Sequence, residues 1–170
     1  MPQSSRIERL EVSVGGRSRS ELRSALAEAG VQLNVHAETL LDADVFDGGE
    51  ERMITVTERT VGELGGTQGA TLPEIFRLAG EQALLVCPPE TGPYLRLALG
   101  EQATSANSVL STGTAPEGSL TVVSDVLDDD VAYPKGFYLR VVDGVPWLRG
   151  YRCDDEHVWS PEDRLLFRVA

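Results

Sequence analysis

The sequence predicts an α+β fold in which an N-terminal helical hairpin and one further helix pack on a mainly antiparallel sheet. Three observations predict it. Ser18 with Glu21 and Thr71 with Glu74 form capping boxes in front of apolar-periodic stretches. Arg52 to Thr60 alternates in polarity with β-branched residues in excess, as a strand does. Asp143-Gly144 separates two further alternating runs, the pattern of a tight hairpin. Helical signals come early and strand signals late, which argues against a doubly wound parallel sheet.

Ile7 to Val14 reads as a first strand stopped by Gly15-Gly16. The helix opened by Ser18 places Leu22, Ala25, Leu26 and Ala29 on one side and stops at Gly30. Asn34 can cap a second helix with Ala37, Leu40, Leu41 and Val45 on one face, broken by Asp47-Gly48-Gly49-Glu50. In the segment Arg52 to Thr60, Met53, Thr55, Thr57 and Arg59 face one way and Ile54, Val56 and Glu58 the other. Thr71 opens a helix through Ile75, Phe76, Leu78 and Ala79, with Pro73 tolerated in its first turn. Ala83 to Cys87 and Tyr94 to Leu99 read as two short strands joined by a rigid loop at Pro88-Pro89 and Gly92-Pro93. A Ser-, Thr-, Ala- and Gly-rich connection follows near residues 100–118, then strands at Leu120 to Val123, across the hairpin, and at Leu165 to Val169.

A chain of 170 residues fits a single domain and can bury a sizeable core without disulfides. Its 15 Lys and Arg against 27 Asp and Glu give a net charge of −12, so it lacks the general field that attracts duplex nucleic acid or an anionic membrane. Any anion site must therefore be local. Cys87 and Cys153 lie far apart without metal-type spacing and read as two reduced thiols, and no apolar run reaches signal-peptide or membrane-span length. The expected setting is the cytoplasm. There is no internal repeat, and the sequence assigns no oligomeric state.

Against that acidic background, Gly136 to Arg152 concentrates aromatic and basic residues. A two-residue turn at Asp143-Gly144 pairs Val142 with Val145, Arg140 with Trp147 and Tyr138 with Arg149. One face then receives Phe137, Leu139, Val141 and Leu148; the other receives Tyr138, Arg140, Val142, Trp147, Arg149 and Tyr151. Arg140 opposite Trp147 suits a cation–π contact, worth about 0.5–1 kcal/mol at an exposed site. Tyr138, Arg140, Trp147, Arg149 and Tyr151 are the candidate ligand-binding set, for a small anionic or planar ligand or a protein partner. In the competing arrangement Trp147 is half buried, and Arg140, Arg149 and Arg152 pair with Asp128, Asp129, Asp130, Asp154 or Asp155. Pro146 removes a ladder donor and marks its strand as an edge, which a peptide strand could extend.

Other chemistry is less specific. Asp154-Asp155-Glu156-His157 gathers acid, base and oxygen-ligand groups, the raw material of a metal-assisted hydrolase, but no EF-hand, HExxH or His/Cys ligand spacing accompanies it. A solvated acidic turn is the simpler reading, and no metal site is assigned. His36 reads as a surface or cap-side histidine and Cys87 as buried. Gly62 to Thr71, GELGGTQGAT, opens a helix but lacks the P-loop lysine; GxGxxG and GxSxG are absent, so no cofactor is assigned. A third possible role, stacking single-stranded bases on the hairpin face, is opposed by the net charge.

Three segments, VGGRSRSELRSALAEAGVQLNVHAETLL, GATLPEIFRLAGEQALLVCPPETGPYLRL and YPKGFYLRVVDGVPWLRGYRCDDEHVWSPEDRLLF, together resemble in order a family of short bacterial proteins. The resemblance spans most of residues 12–167. Some members carry a helicase label, for which this chain has neither the Walker lysine motif nor the size. It implies a bacterial, cytoplasmic protein that stands alone, and it brings no catalytic residues with it. The expected function is a non-enzymatic binding module.

Overall fold

The computed structural model describes residues 7–47, 49–99, 119–128 and 130–169. Five α-helices and ten strands follow the α+β pattern. Seven strands run in the order β1-β3-β10-β6-β7-β8-β2, and β5 pairs with β10 as the eighth. These are β1 Leu10–Val14, β2 Gln32–Leu33, β3 Arg52–Thr60, β5 Leu84–Leu85, β6 Leu120–Val122, β7 Gly136–Val142, β8 Val145–Tyr151 and β10 Arg164–Val169. All pairings are antiparallel except β10 with β6 and β2 with β8. β4 Ala70–Thr71 and β9 Val158–Trp159 form a separate two-stranded ladder. The expected connection near 100–118 lies outside the described residues.

Both faces of the sheet carry apolar clusters. α1 Arg19–Glu28, α2 Val35–Leu41 and α5 Thr91–Ala98 supply one, with Leu22, Leu40 and Leu95 against Val56, Leu139, Leu148 and Leu166. α3 Val61–Leu64 and α4 Leu72–Glu81 supply the other, with Ile75 and Ala79 against Val123, Leu165, Phe167 and Trp159. Alternation along β10 sorts Leu166 to the first cluster and Leu165 and Phe167 to the second. The sheet curls, bringing β1 from one end and β7 and β8 from the other against α5.

The capping chemistry acts as expected. Ser18 accepts from the Glu21 amide while Glu21 reaches back to the Ser18 amide, and Thr71 and Glu74 do the same for α4. Thr60 and Glu63 add a third box for α3, a short helix that the sequence reading did not place and that overlaps the start of the glycine-rich stretch Gly62 to Thr71.

Several elements differ from expectation. The helical hairpin is interrupted by β2, which carries the chain to the sheet edge between α1 and α2. The two helices are bridged by charge instead: Arg23 Nη2 donates to the Asp42 carboxylate at 2.7 Å and to the Glu38 carbonyl at 3.0 Å. Val45 lies beyond α2 in a 3-10 turn, Asp44–Phe46, and is 39% exposed. The segment expected as a strand at Tyr94 to Leu99 is helix α5. Pro93 sits in its first turn, where no amide hydrogen is needed, and Thr91 to Arg96 are all buried. A helix whose first six residues are all buried shows no polar stripe there, which is why its run resembles a buried strand. The strand expected over Ala83 to Cys87 shrinks to Leu84–Leu85.

Asn34 joins the two layers. Its Oδ1 accepts from the Ala37 amide at 2.8 Å, capping α2, and from the Gly150 amide at 2.9 Å, while its Nδ2 donates to the Gly150 carbonyl at 3.1 Å. The side chain thus prolongs by one step the ladder that β2 makes with Trp147 and Leu148. Asn34→Ala removes a cap and orphans two half-buried backbone groups of β8. The expected cost is about 2 kcal/mol, measured as a lower urea midpoint at unchanged slope. A change below about 0.5 kcal/mol would show that water replaces the amide without penalty.

Candidate functional site on the β7–β8 hairpin

The hairpin register agrees with the sequence reading at every pair: Val142 faces Val145, Arg140 faces Trp147 and Tyr138 faces Arg149. Asp143 at φ 52° and Gly144 at φ 80° supply the two positive dihedrals that such a turn requires. Phe137, Leu139 and Leu148 enter the first core cluster, which leaves the candidate set on the opposite face.

That face is sequestered on its β7 side. Tyr138 is 6% exposed and Arg140 is fully buried, so neither offers an open surface. Burial raises the Tyr138 phenol above its usual range, while the Arg149 and Arg140 guanidiniums beside it pull the other way. Burial likewise lowers the Arg140 guanidinium. Tyr151 is turned inward, its ring edge-on to Trp159 at 5.5 Å within the second cluster, and burial raises its phenol. Trp147 and Arg149 are half buried and carry the part of the set that solvent reaches.

A cation–π contact is made by Arg149. It lies over aromatic rings, its guanidinium carbon 5.0 Å from the Trp147 centroid and 5.9 Å from that of Tyr138. Trp147 and Arg149 are next-but-one neighbours on β8 and Tyr138 faces Arg149, so one guanidinium reaches both rings. The Arg149 Nε is buried and makes no hydrogen bond.

The competing arrangement of salt-bridged arginines is not formed at Arg149 or Arg152. Among the described residues neither has a carboxylate within ion-pair distance. Asp128 and Asp130 accept from backbone amides of their own turn, and Asp129 lies outside the described residues. His36, on α2, adds a group the sequence reading set aside. Partial burial lowers its pKa, and the charges of Arg152 and Arg149 lower it further. Two arginines that have no carboxylate partner among the described residues thus act on one imidazole in a chain of net charge −12.

The strand of Pro146 is an edge only in part. β2 covers β8 at Trp147 and Leu148, and Pro146 falls just before the covered stretch, where no ladder donor is needed. A peptide strand therefore has no vacant edge at those two residues.

The acidic segment is an exposed turn. Asp154 Oδ1 accepts from the amides of Glu156 at 3.0 Å and His157 at 2.8 Å, and Asp154, Asp155 and Glu156 are exposed. His157 packs edge-on to Trp159 at 5.4 Å. No group of three metal-ligating side chains converges among the described residues. Both thiols are free and poorly ionised, burial pushing Cys87 up to about 12 and Cys153 up to about 11. No helix among the described residues is long and apolar enough to cross a membrane.

No protein-family model matches the chain, and no curated protein or solved structure shows significant similarity to it.

Proposed function

We propose that the chain is a binding module that takes a small planar anion at the solvent-facing end of the Trp147–Arg149 pair. One observation carries this reading: Arg149 lies over two rings, its Nε makes no hydrogen bond, and among the described residues no carboxylate neutralises it or Arg152. A half-buried guanidinium held at fixed orientation can bind an anionic group through its remaining N–H groups at little ordering cost. Trp147 presents an aromatic surface on which a planar ligand stacks. Arg152 adds positive potential from the end of β8; burial, with Arg152 and Arg149, keeps the nearby His36 imidazole from gaining a proton. Arg140 and Tyr138 support Arg149 from below and do not meet the ligand.

The test is a tryptophan-fluorescence titration of the full chain with benzoate and adenosine monophosphate, with inorganic phosphate as the non-planar control. Trp159 is 5% exposed and provides a constant background, so quenching reports Trp147. Saturable quenching by the planar anions is expected, with affinity reduced at least about tenfold in Arg149→Ala, or about 1.4 kcal/mol. Equal affinities in the parent chain, Arg149→Ala and Trp147→Leu would end the proposal, as would a response to phosphate equal to that with the planar anions.

A further inference from the structure

A second concave site lies on the other half of the sheet, where β1 ends and α5 passes over it. The groove has a volume of about 360 Å³, near the lower end of the range for small-molecule pockets. At about 30 Å³ per water it holds on the order of ten waters, the space of one small metabolite. One wall is the Gly15-Gly16 turn, where both residues have positive φ, at 88° and 92°. A β-carbon on Gly15 would lie 2.4 Å from the Glu50 carbonyl oxygen, so the wall requires glycine there. The facing wall is one side of α5, with Tyr94, Leu97 and Ala98 at helical spacing.

The polar groups around it are opposite in sign. Arg17 is exposed and has no carboxylate within ion-pair distance among the described residues. Glu51 accepts from the Ser13 hydroxyl through Oε2 at 2.8 Å, and no cation among the described residues pairs with it. Between them stands Tyr94, 8% exposed, whose hydroxyl oxygen accepts from the Arg17 amide at 3.2 Å. No acceptor takes its hydroxyl proton among the described residues, so a buried phenol with an unused donor lines the groove. The Arg17 amide fixes that phenol, and its pKa is raised chiefly by burial, so it stays a donor at neutral pH.

We infer that this groove binds a small apolar α-amino acid in its zwitterionic form. A free cation with a hydroxyl donor suits the carboxylate, a carboxylate held by a serine suits the ammonium, and Leu97 and Ala98 suit a short aliphatic side chain. A simple anion would meet Glu51, and a simple amine would meet Arg17, so only a ligand carrying both charges satisfies both walls. The site shares no residue with the Trp147–Arg149 pair, and either can fail without the other.

The experiment follows backbone amide NMR shifts of the full chain during titration with leucine, and separately with isovalerate and isoamylamine, which each keep one charge. Leucine is expected to move Gly15, Gly16, Arg17 and Leu97 saturably, at least about tenfold more tightly than either analogue. Arg17→Met and Glu51→Gln, both at exposed positions, are each expected to weaken leucine at least about tenfold while the remaining amides keep their shifts. Arg149→Ala should leave the titration unchanged. Absence of saturable shifts with leucine, or isovalerate binding as tightly as leucine, would overturn the assignment.

Discussion

Arg164→Met is expected to lower folding stability by about 3–5 kcal/mol, read as a lower urea midpoint. The cause is the group left behind. Glu58 is 3% exposed, on the same face of β3 as Ile54 and Val56, and Arg164 on β10 holds it with two charge-assisted bonds, 2.9 Å from Nη2 to Oε1 and 2.5 Å from Nε to Oε2. Removing the guanidinium strands a carboxylate where water is scarce, which costs far more than an exposed pair is worth. The Ile7 amide also donates to Glu58 Oε1 at 3.1 Å, so the loss spreads to the chain leading into β1. Glu58→Gln combined with Arg164→Met should recover part of the loss, because no charge is then buried. If the single variant unfolds within about 1 kcal/mol of the parent, the pair is better hydrated than its burial indicates.

Gly150→Ala is the second large effect, at about 3 kcal/mol, or a melting temperature roughly 6–12 °C lower for a chain of this size. A β-carbon there would stand 2.7 Å from the His36 carbonyl carbon and 2.8 Å from the Ala37 amide nitrogen. Both are backbone atoms in the first turn of α2, so no side-chain rotation relieves the clash. The helix must lift, and the two Asn34 bonds that bind it to β8 lengthen together. The cost of Asn34→Ala and Gly150→Ala combined should therefore fall short of the sum of the two, since both release the same contact. An alanine variant melting with the parent would show that α2 is not seated on Gly150.

What could be read beforehand was local. The Asp143-Gly144 turn fixes the register of both its strands, and the Ser18 and Thr71 boxes fix where α1 and α4 begin, because each depends on residues within a few positions. Burial of Arg140 and Tyr138 was not legible: alternation assigns a residue to a face, but not what lies over that face. Here the second face carries its own cluster around Ile75, Phe167 and Trp159. α5 was hidden for a related reason, since Gly92 and Pro93 break most helices yet Pro93 falls in the first turn. Gly92 is also needed there, because a β-carbon would come within 2.7 Å of Phe137. β2 has only two residues, too few to show a period. Of the five hairpin residues singled out, Trp147 and Arg149 are those that solvent reaches, while His36 and the Gly15–Arg17 groove emerge only when separate elements meet.

The position of β10 bears on how the protein is made. It lies between β3 and β6, touches β5, and is the last strand of the sheet to leave the ribosome. Until Arg164 to Val169 emerge, the nascent chain holds β1-β3 and β6-β7-β8-β2 as two unjoined ribbons, with Glu58 lacking its arginine and two apolar edges open to solvent. The seam can close only after translation has passed it, so completion of the sheet waits on pairings far apart in sequence.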